Sequence, residues 1–177
     1  MIKPLVFIIA AQSVDGFIAK DSEHLTGWTS KEDKELFRSL TLDAGVVVMG
    51  SKTFQTLPEA LPGRKNVIYT NQVLEVDTKT TDLTHLEPAR LIEKLAAEGF
   101  SKIAVIGGQQ IYDLFLQSGV VDEIYLTVEP VLFGKGMRLT FSPHDRKLDL
   151  IESSSLGGQS VLLHYKVSNE VDHVAHS

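Results

Sequence analysis

Short runs of aliphatic and β-branched residues alternate along the chain with segments whose apolar residues recur every three or four positions. The runs predict strands over residues 5–10, 46–49, 66–69, 103–106, 123–128, 148–153 and 160–167. The periodic segments predict helices over 31–40, a short one from about 52, and others over 88–98 and 109–116. Several runs are apolar at every position, the pattern of strands covered on both faces. Strands alternating with helices make βα units, so the expected fold is α/β, with a mainly parallel central sheet and helices on both faces. The last two strands are separated by Leu156-Gly157-Gly158-Gln159, a hairpin signal, so the sheet is expected to end antiparallel. No repeat or linker interrupts the pattern, which predicts one domain over 1–167. The segment 168–177 is polar and aperiodic and is expected to fray. His173 and His176 lie there three apart, without the further ligands a metal site needs.

Composition adds exclusions. With 177 residues, 43% hydrophobic and 23% charged, the chain is long enough for a substantial core. It has no cysteine, which removes disulfides, thiolate metal sites and a cysteine nucleophile. A formal charge of −6 without a basic stripe argues against nucleic acid as a partner. The opening MIKPLVFIIAAQ has too short an apolar run for a signal peptide or a membrane span, and reads as a first core strand. A cytoplasmic enzyme, monomeric or homodimeric, is expected.

One polar residue breaks the pattern. Leu36, Phe37 and Leu40 follow Asp33 by three, four and seven positions, so the acid shares their helix face. A carboxylate on a buried stripe is costly unless it is hydrogen-bonded. Two readings account for it: a capping box, with Ser30 as N-cap and Asp33 folding back onto a backbone N–H, or a ligand-binding acid.

The surroundings of Asp33 widen the second reading. Trp28-x4-Asp33-x3-Phe37-x3-Thr41 is followed by VVVMGSKTFQTLPEALPGRKNVIYTN. Here the chain resembles the dihydrofolate reductase family. In that family a Trp precedes a helix carrying the substrate-binding acid, and Phe and Thr follow at these spacings. Next come a strand ending V-x-M-G, a Lys-Thr pair and L-P-G-R-x-N. The resemblance runs from about Ile8 to Thr127, and more weakly to Lys166.

It implies a dihydrofolate reductase-like three-layer fold and NADPH-dependent reduction of 7,8-dihydrofolate to tetrahydrofolate. Asp33 would accept a paired hydrogen bond from the 2-amino group and ring N–H of a pterin. Thr127 would bond that acid, and Trp28 would help position it and an ordered water. Ile9, Ala10 and Phe37 would wall the ring, and Arg64 would pair with the carboxylate of the folate glutamate. Taken alone, Trp28 reads equally as a core aromatic, Thr127 as a strand former and Arg64 as a solvated turn residue. Gly50-Ser51-Lys52-Thr53 and Ile106-Gly107-Gly108-Gln109-Gln110 each join a strand to a helix N-terminus, which favours phosphate oxygens. Either is also simply a tight turn. By resemblance both would hold NADPH, with Ala11, Ile18 and Ile111 also binding the cofactor and Tyr112 flanking the nicotinamide. Thr70 and Asn71 would lie by the adenine ribose, where Lys52 could meet a 2′-phosphate. No metal is implied.

The chain also departs from the family pattern. The stretch between Gly16 and Trp28 is about two residues longer, Lys34 follows the acid where an apolar residue is usual, and Ser51 stands where an Arg often meets phosphate. Phe133-Gly134-Lys135-Gly136-Met137-Arg138-Leu139 replaces a Gly-Asp-Thr segment. That segment and Ser13-Val14-Asp15-Gly16-Phe17-Ile18-Ala19 resemble the reductases of riboflavin biosynthesis, which act on a ribosylaminopyrimidine phosphate. A non-catalytic nucleotide-binding domain is a third alternative.

Overall fold

The structure, a computed structural model, describes residues 3–21, 26–142 and 145–168. His173 and His176 and nearly all of the expected frayed segment lie outside them. Eight strands form one sheet: β1 (Leu5–Ser13), β2 (Val46–Gly50), β3 (Lys65–Tyr69), β4 (Thr81–Thr84), β5 (Lys102–Gly107), β6 (Glu123–Glu129), β7 (Leu148–Leu156) and β8 (Ser160–Val167). Their spatial order is β4-β3-β2-β5-β1-β6-β8-β7. The pairings from β4 to β6 are parallel, whereas β8 runs antiparallel to β6 and to β7.

Among the described residues four α-helices cover the sheet: α1 (Lys31–Ala44), α2 (Ser51–Gln55), α3 (Pro88–Ala97) and α4 (Gln109–Gln117). Side-chain alternation along the strands sorts the core into two layers. Val6, Ile8, Val48 and Val105 pack on the side of α3 and α4, against Leu91, Leu95 and Phe115. Phe7, Ile9, Val47 and Met49 pack on the other side with Ala44, Phe37 and Leu40 of α1 and Phe54 of α2. The expected α/β architecture, with its parallel sheet and antiparallel terminal hairpin, is what the chain adopts.

Two differences have local causes. Strand β4 was not expected, because Thr-Asp-Leu-Thr is short and polar. It exists through its ladder with β3, in which Asn66 faces Thr81 and Ile68 faces Leu83. Helix α1 runs a turn past Leu40, until the N–H of Gly45 closes on the Thr41 and Leu42 carbonyls.

Phe115 is fully buried under the centre of the sheet. Replacing it by Ala is expected to destabilise the fold by about 3–5 kcal/mol. Urea unfolding checks this through a lower midpoint at unchanged slope.

Candidate active site

The carboxyl ends of β1, β2, β3 and β5 open into a cavity of about 410 Å³. In parallel α/β sheets this edge is where ligands bind. Ile9, Ala10 and Ala11 of β1 form part of its wall, with Trp28, Asp33 and Phe37 on one side. Gly50, Ser51, Lys52 and Thr53 contribute from the start of α2, and Gly108, Gln109, Gln110 and Ile111 from the start of α4. Tyr112, Ile106 and Ile18 complete the expected set that lines it. A second groove of about 570 Å³ runs along the edge strand β4, and its charged pair, Asp82 and Lys94, is mutually satisfied at 3.0 Å.

Asp33 lies at the first turn of α1, buried at the cavity. Half of the expected capping box is present: Ser30 is the N-cap, and its hydroxyl accepts from the Asp33 N–H at 3.2 Å. The reciprocal half is not made by Asp33. The Ser30 N–H donates instead to Glu129 Oε1 at 2.8 Å, as does the Ser30 hydroxyl at 2.8 Å. The Asp33 carboxyl is hydrogen-bonded by the Thr127 and Thr29 side chains. Burial pushes its pKa up, the two hydroxyls oppose that shift, the charge of Glu129 adds to it, and Lys34 opposes it.

The two strand–helix junctions sit side by side. Gly50 and Gly108 cap α2 and α4 without side-chain hydrogen bonds, and the first residues of both helices line the cavity. The Gly107–Gly108 peptide is cis. A Cβ at Gly108 would stand 3.1 Å from Thr53 Oγ1, and one at Gly107 would stand 3.3 Å from the Tyr112 hydroxyl. Both contacts would be tight against side chains of α2 and α4, and the φ of +125° at Gly107 itself favours glycine, reasons beyond room for a ligand. Tyr112 donates its hydroxyl to the Ile9 carbonyl at 3.0 Å, and burial raises its pKa far above the usual phenol range.

Five expected residues lie outside the cavity lining. Gly107 is the buried last residue of β5. Thr127 sits beneath it and reaches Asp33. Arg64 is buried, donating to Thr41 Oγ1 at 2.7 Å and to the Pro62 carbonyl at 3.1 Å. Thr70 and Asn71 follow the cavity-lining Tyr69 at the end of β3, with Thr70 Oγ1 accepting from the Gln72 N–H at 3.0 Å.

The atypical segments meet over the mouth of the cavity. Ile18 donates its N–H to the Met137 carbonyl at 2.8 Å, and Met137 returns the bond to Ala19 at 2.8 Å. Gly136, at φ +157°, approaches so closely that a Cβ would fall 2.2 Å from the Ala19 carbonyl oxygen. Asp15 accepts from the Ser13 hydroxyl and the Phe133 and Gly134 N–H groups, and the Ser13 bond leads in holding its carboxyl below the usual range. Trp28 meets Phe133 edge-to-face at 4.9 Å between ring centroids. Residues 22–25 of the lengthened stretch are outside those described.

Several residues at the site carried no sequence expectation as site residues. Thr29, Ala19, Asp21, Thr56, Leu57, Tyr69 and Met137 line the cavity, and Glu129 holds Ser30. Glu129 did leave a trace, as an acid two positions beyond Thr127 on the same face of the strand.

The architecture and the cavity at the ends of its parallel strands define a dihydrofolate reductase-like α/β protein. The chain belongs to the dihydrofolate reductase family, whose sequence profile matches residues 5–133. It is similar to dihydrofolate reductase type 9 of Escherichia coli, with 32% identity over 111 residues, 59% of this chain and 60% of that protein. It is also similar to dihydrofolate reductase of Staphylococcus haemolyticus, with 28% identity over 69% of this chain and 68% of that one. Among solved structures, a pyrimidine reductase-like protein from Corynebacterium diphtheriae shares the fold at TM-score 0.77 and 18% identity, covering 94% of this chain and 93% of that one. Among the described residues no helix is long and apolar enough to cross a membrane, and no group of three or more His, Cys, Asp or Glu is placed to hold a metal.

Because the pKa of Asp33 is raised in the folded state, its contribution to stability is complete below the ordinary carboxylate range and is lost as pH rises through the raised value. Asp33→Asn is therefore expected to raise the melting temperature at pH 7. The gain should vanish below about pH 4, where the wild-type carboxyl is already neutral. Thermal unfolding at both pH values checks the sign.

Proposed function

We propose that the chain is an NADPH-dependent oxidoreductase that reduces 7,8-dihydrofolate to tetrahydrofolate. The observation that carries this reading is the Asp33 carboxyl, buried at the cavity, bonded by two threonine hydroxyls and spared from capping its own helix.

The cavity-lining N-termini of α2 and α4, neither capped by a side chain, would with Lys52 suit the phosphates of a dinucleotide. NADPH bound there would supply the hydride. Ile106, Ile111, Ala11 and Ile18 would wall the nicotinamide end, and Tyr112, anchored on the Ile9 carbonyl, would hold its flank rigid. Thr70 and Asn71 would lie toward the adenine ribose.

On the substrate side, Asp33 accepts the paired N–H donors of the pterin, a fork that two carboxylate oxygens match. Thr127 and Thr29 orient that carboxylate, Trp28 fixes the chain beside it, and Phe37, Ile9 and Ala10 exclude water from the ring faces. Much of the acceleration would come from this positioning. The proton for the ring nitrogen comes from water, since Asp33 holds the other side of the ring. Arg64 feels the charge of Arg38, and neither guanidinium forms an ion pair among the described residues. This supports their holding the carboxylate of a folate tail.

A second reading has its own observation. Lys34 lines the cavity next to the acid, a cation where a phosphate-bearing substrate would gain from one. This favours a ribosylaminopyrimidine phosphate as the competing substrate.

Oxidation of NADPH followed at 340 nm, with dihydrofolate and separately with the pyrimidine phosphate, separates the two readings. Turnover of dihydrofolate alone is expected. Asp33→Asn should lower kcat/KM by roughly 100-fold or more, the scale of removing one oriented charge-stabilising group. Turnover of the pyrimidine phosphate alone, lost in Lys34→Met, would replace this reading by the second.

A further inference from the structure

Glu129 ends β6 and is 2% exposed, with a carboxylate enclosed by donors from two other parts of the fold. Its Oε1 accepts both the N–H and the hydroxyl of Ser30 at 2.8 Å, and its Oε2 accepts the Ser160 hydroxyl at 2.6 Å. Ser160 opens β8 just past the hairpin turn, and Ser30 is the N-cap of α1. One carboxylate thus joins the start of the helix that bears Asp33 to the terminal hairpin.

The consequence lies in how helix α1 is capped. A helix N-terminus has free N–H groups, and a Ser N-cap with an acid three residues later ordinarily satisfies two of them reciprocally. Ser30 and Asp33 have that spacing, and the hydroxyl half of the motif is formed. The acceptor for the Ser30 N–H comes from β6 instead. We propose that Glu129 is a positioning residue for Asp33: by accepting both protons of Ser30, it keeps α1 capped without Asp33 and leaves the Asp33 carboxyl to the cavity. The inference rests on the reading of Asp33 as the substrate-holding acid.

The arrangement also sets two carboxylates near each other in a buried region. Asp33 feels Glu129 from β6 and Lys34 from its own helix, and Tyr112 of α4 feels the charge of Asp33. Asp21 and Lys52 line the same cavity from the mouth segment and from α2. Of these, Glu129 is the buried anion, and its charge favours the protonated form of Asp33.

The test compares Glu129→Gln and Glu129→Ala in the full chain. Gln keeps an acceptor for the Ser30 N–H and loses the charge, whereas Ala loses both. Glu129→Ala is expected to raise KM for dihydrofolate about tenfold, the scale of one lost charge-assisted hydrogen bond. Glu129→Gln should recover most of that loss. In both variants the titration midpoint of the Asp33 carboxyl, followed by carbon-13 NMR, should move to lower pH. A wild-type KM and an unmoved midpoint in folded Glu129→Ala overturn the proposal. If that variant does not fold, an unmoved midpoint in Glu129→Gln overturns it. Should the intact protein fail to turn over dihydrofolate, the substrate reading fails, and the NMR midpoints alone decide on Glu129.

Discussion

The hydrogen bond from the Ser30 N–H to the Glu129 carboxylate is the constraint on which the site depends. An acid in the first turn of a helix is normally drawn to the helix itself, where free N–H groups and the dipole both favour it. Here an acid from a neighbouring strand meets that demand. Asp33 is left with two threonine hydroxyls and a cavity. A buried carboxylate in that setting is a standing cost to the fold, and the raised pKa records it.

The rest of the sheet holds that acid in place. Thr127 and Glu129 lie two residues apart on β6, so side-chain alternation puts both on the face that α1 crosses. Ala11 is in register with Thr127 and Ser13 with Glu129, so the central strand lies beside the same acid-binding strand. On the far side of the cavity, Gly50 and Gly108 bring two helix N-termini together because neither carries a side chain to keep them apart. Asp33 and the two glycine-capped helix starts thus line one cavity, which on the proposed reading would take an amine-bearing ring at one end and phosphates at the other.

Two of the stretches in which this chain differs from the usual family pattern meet at the mouth of that cavity. Asp15 and Gly136 each tie the segment after β1 to the segment after β6, one through backbone N–H groups and the other by close approach. Both belong to the stretches that resemble the riboflavin-pathway branch, whereas Trp28, Asp33 and Arg64 belong to the folate-like pattern. The first set ties the mouth segments together, whereas Trp28 and Asp33 line the cavity beneath and Trp28 packs on Phe133, so the two sets meet there. Fold likeness at 18% identity therefore sits beside sequence likeness to dihydrofolate reductases without contradiction.

The sequence by itself indicated the layered α/β architecture, because short, β-branched apolar runs such as 46–49 and 103–106, alternating with helical patterns, read as strands covered on both faces. It also determined which acid is out of place, because Asp33 interrupts a helical stripe. It did not reveal β4, whose four residues become a strand only when β3 offers its edge. Nor did it settle what Asp33 does: the same Ser30-x-x-Asp33 spacing serves a cap or a ligand, and the alternatives differ in whether some other acceptor reaches the Ser30 N–H. That acceptor comes from a residue 99 positions away. Periodicity reports local geometry, whereas satisfaction of a buried polar group is a property of everything around it, and only the folded chain decides it.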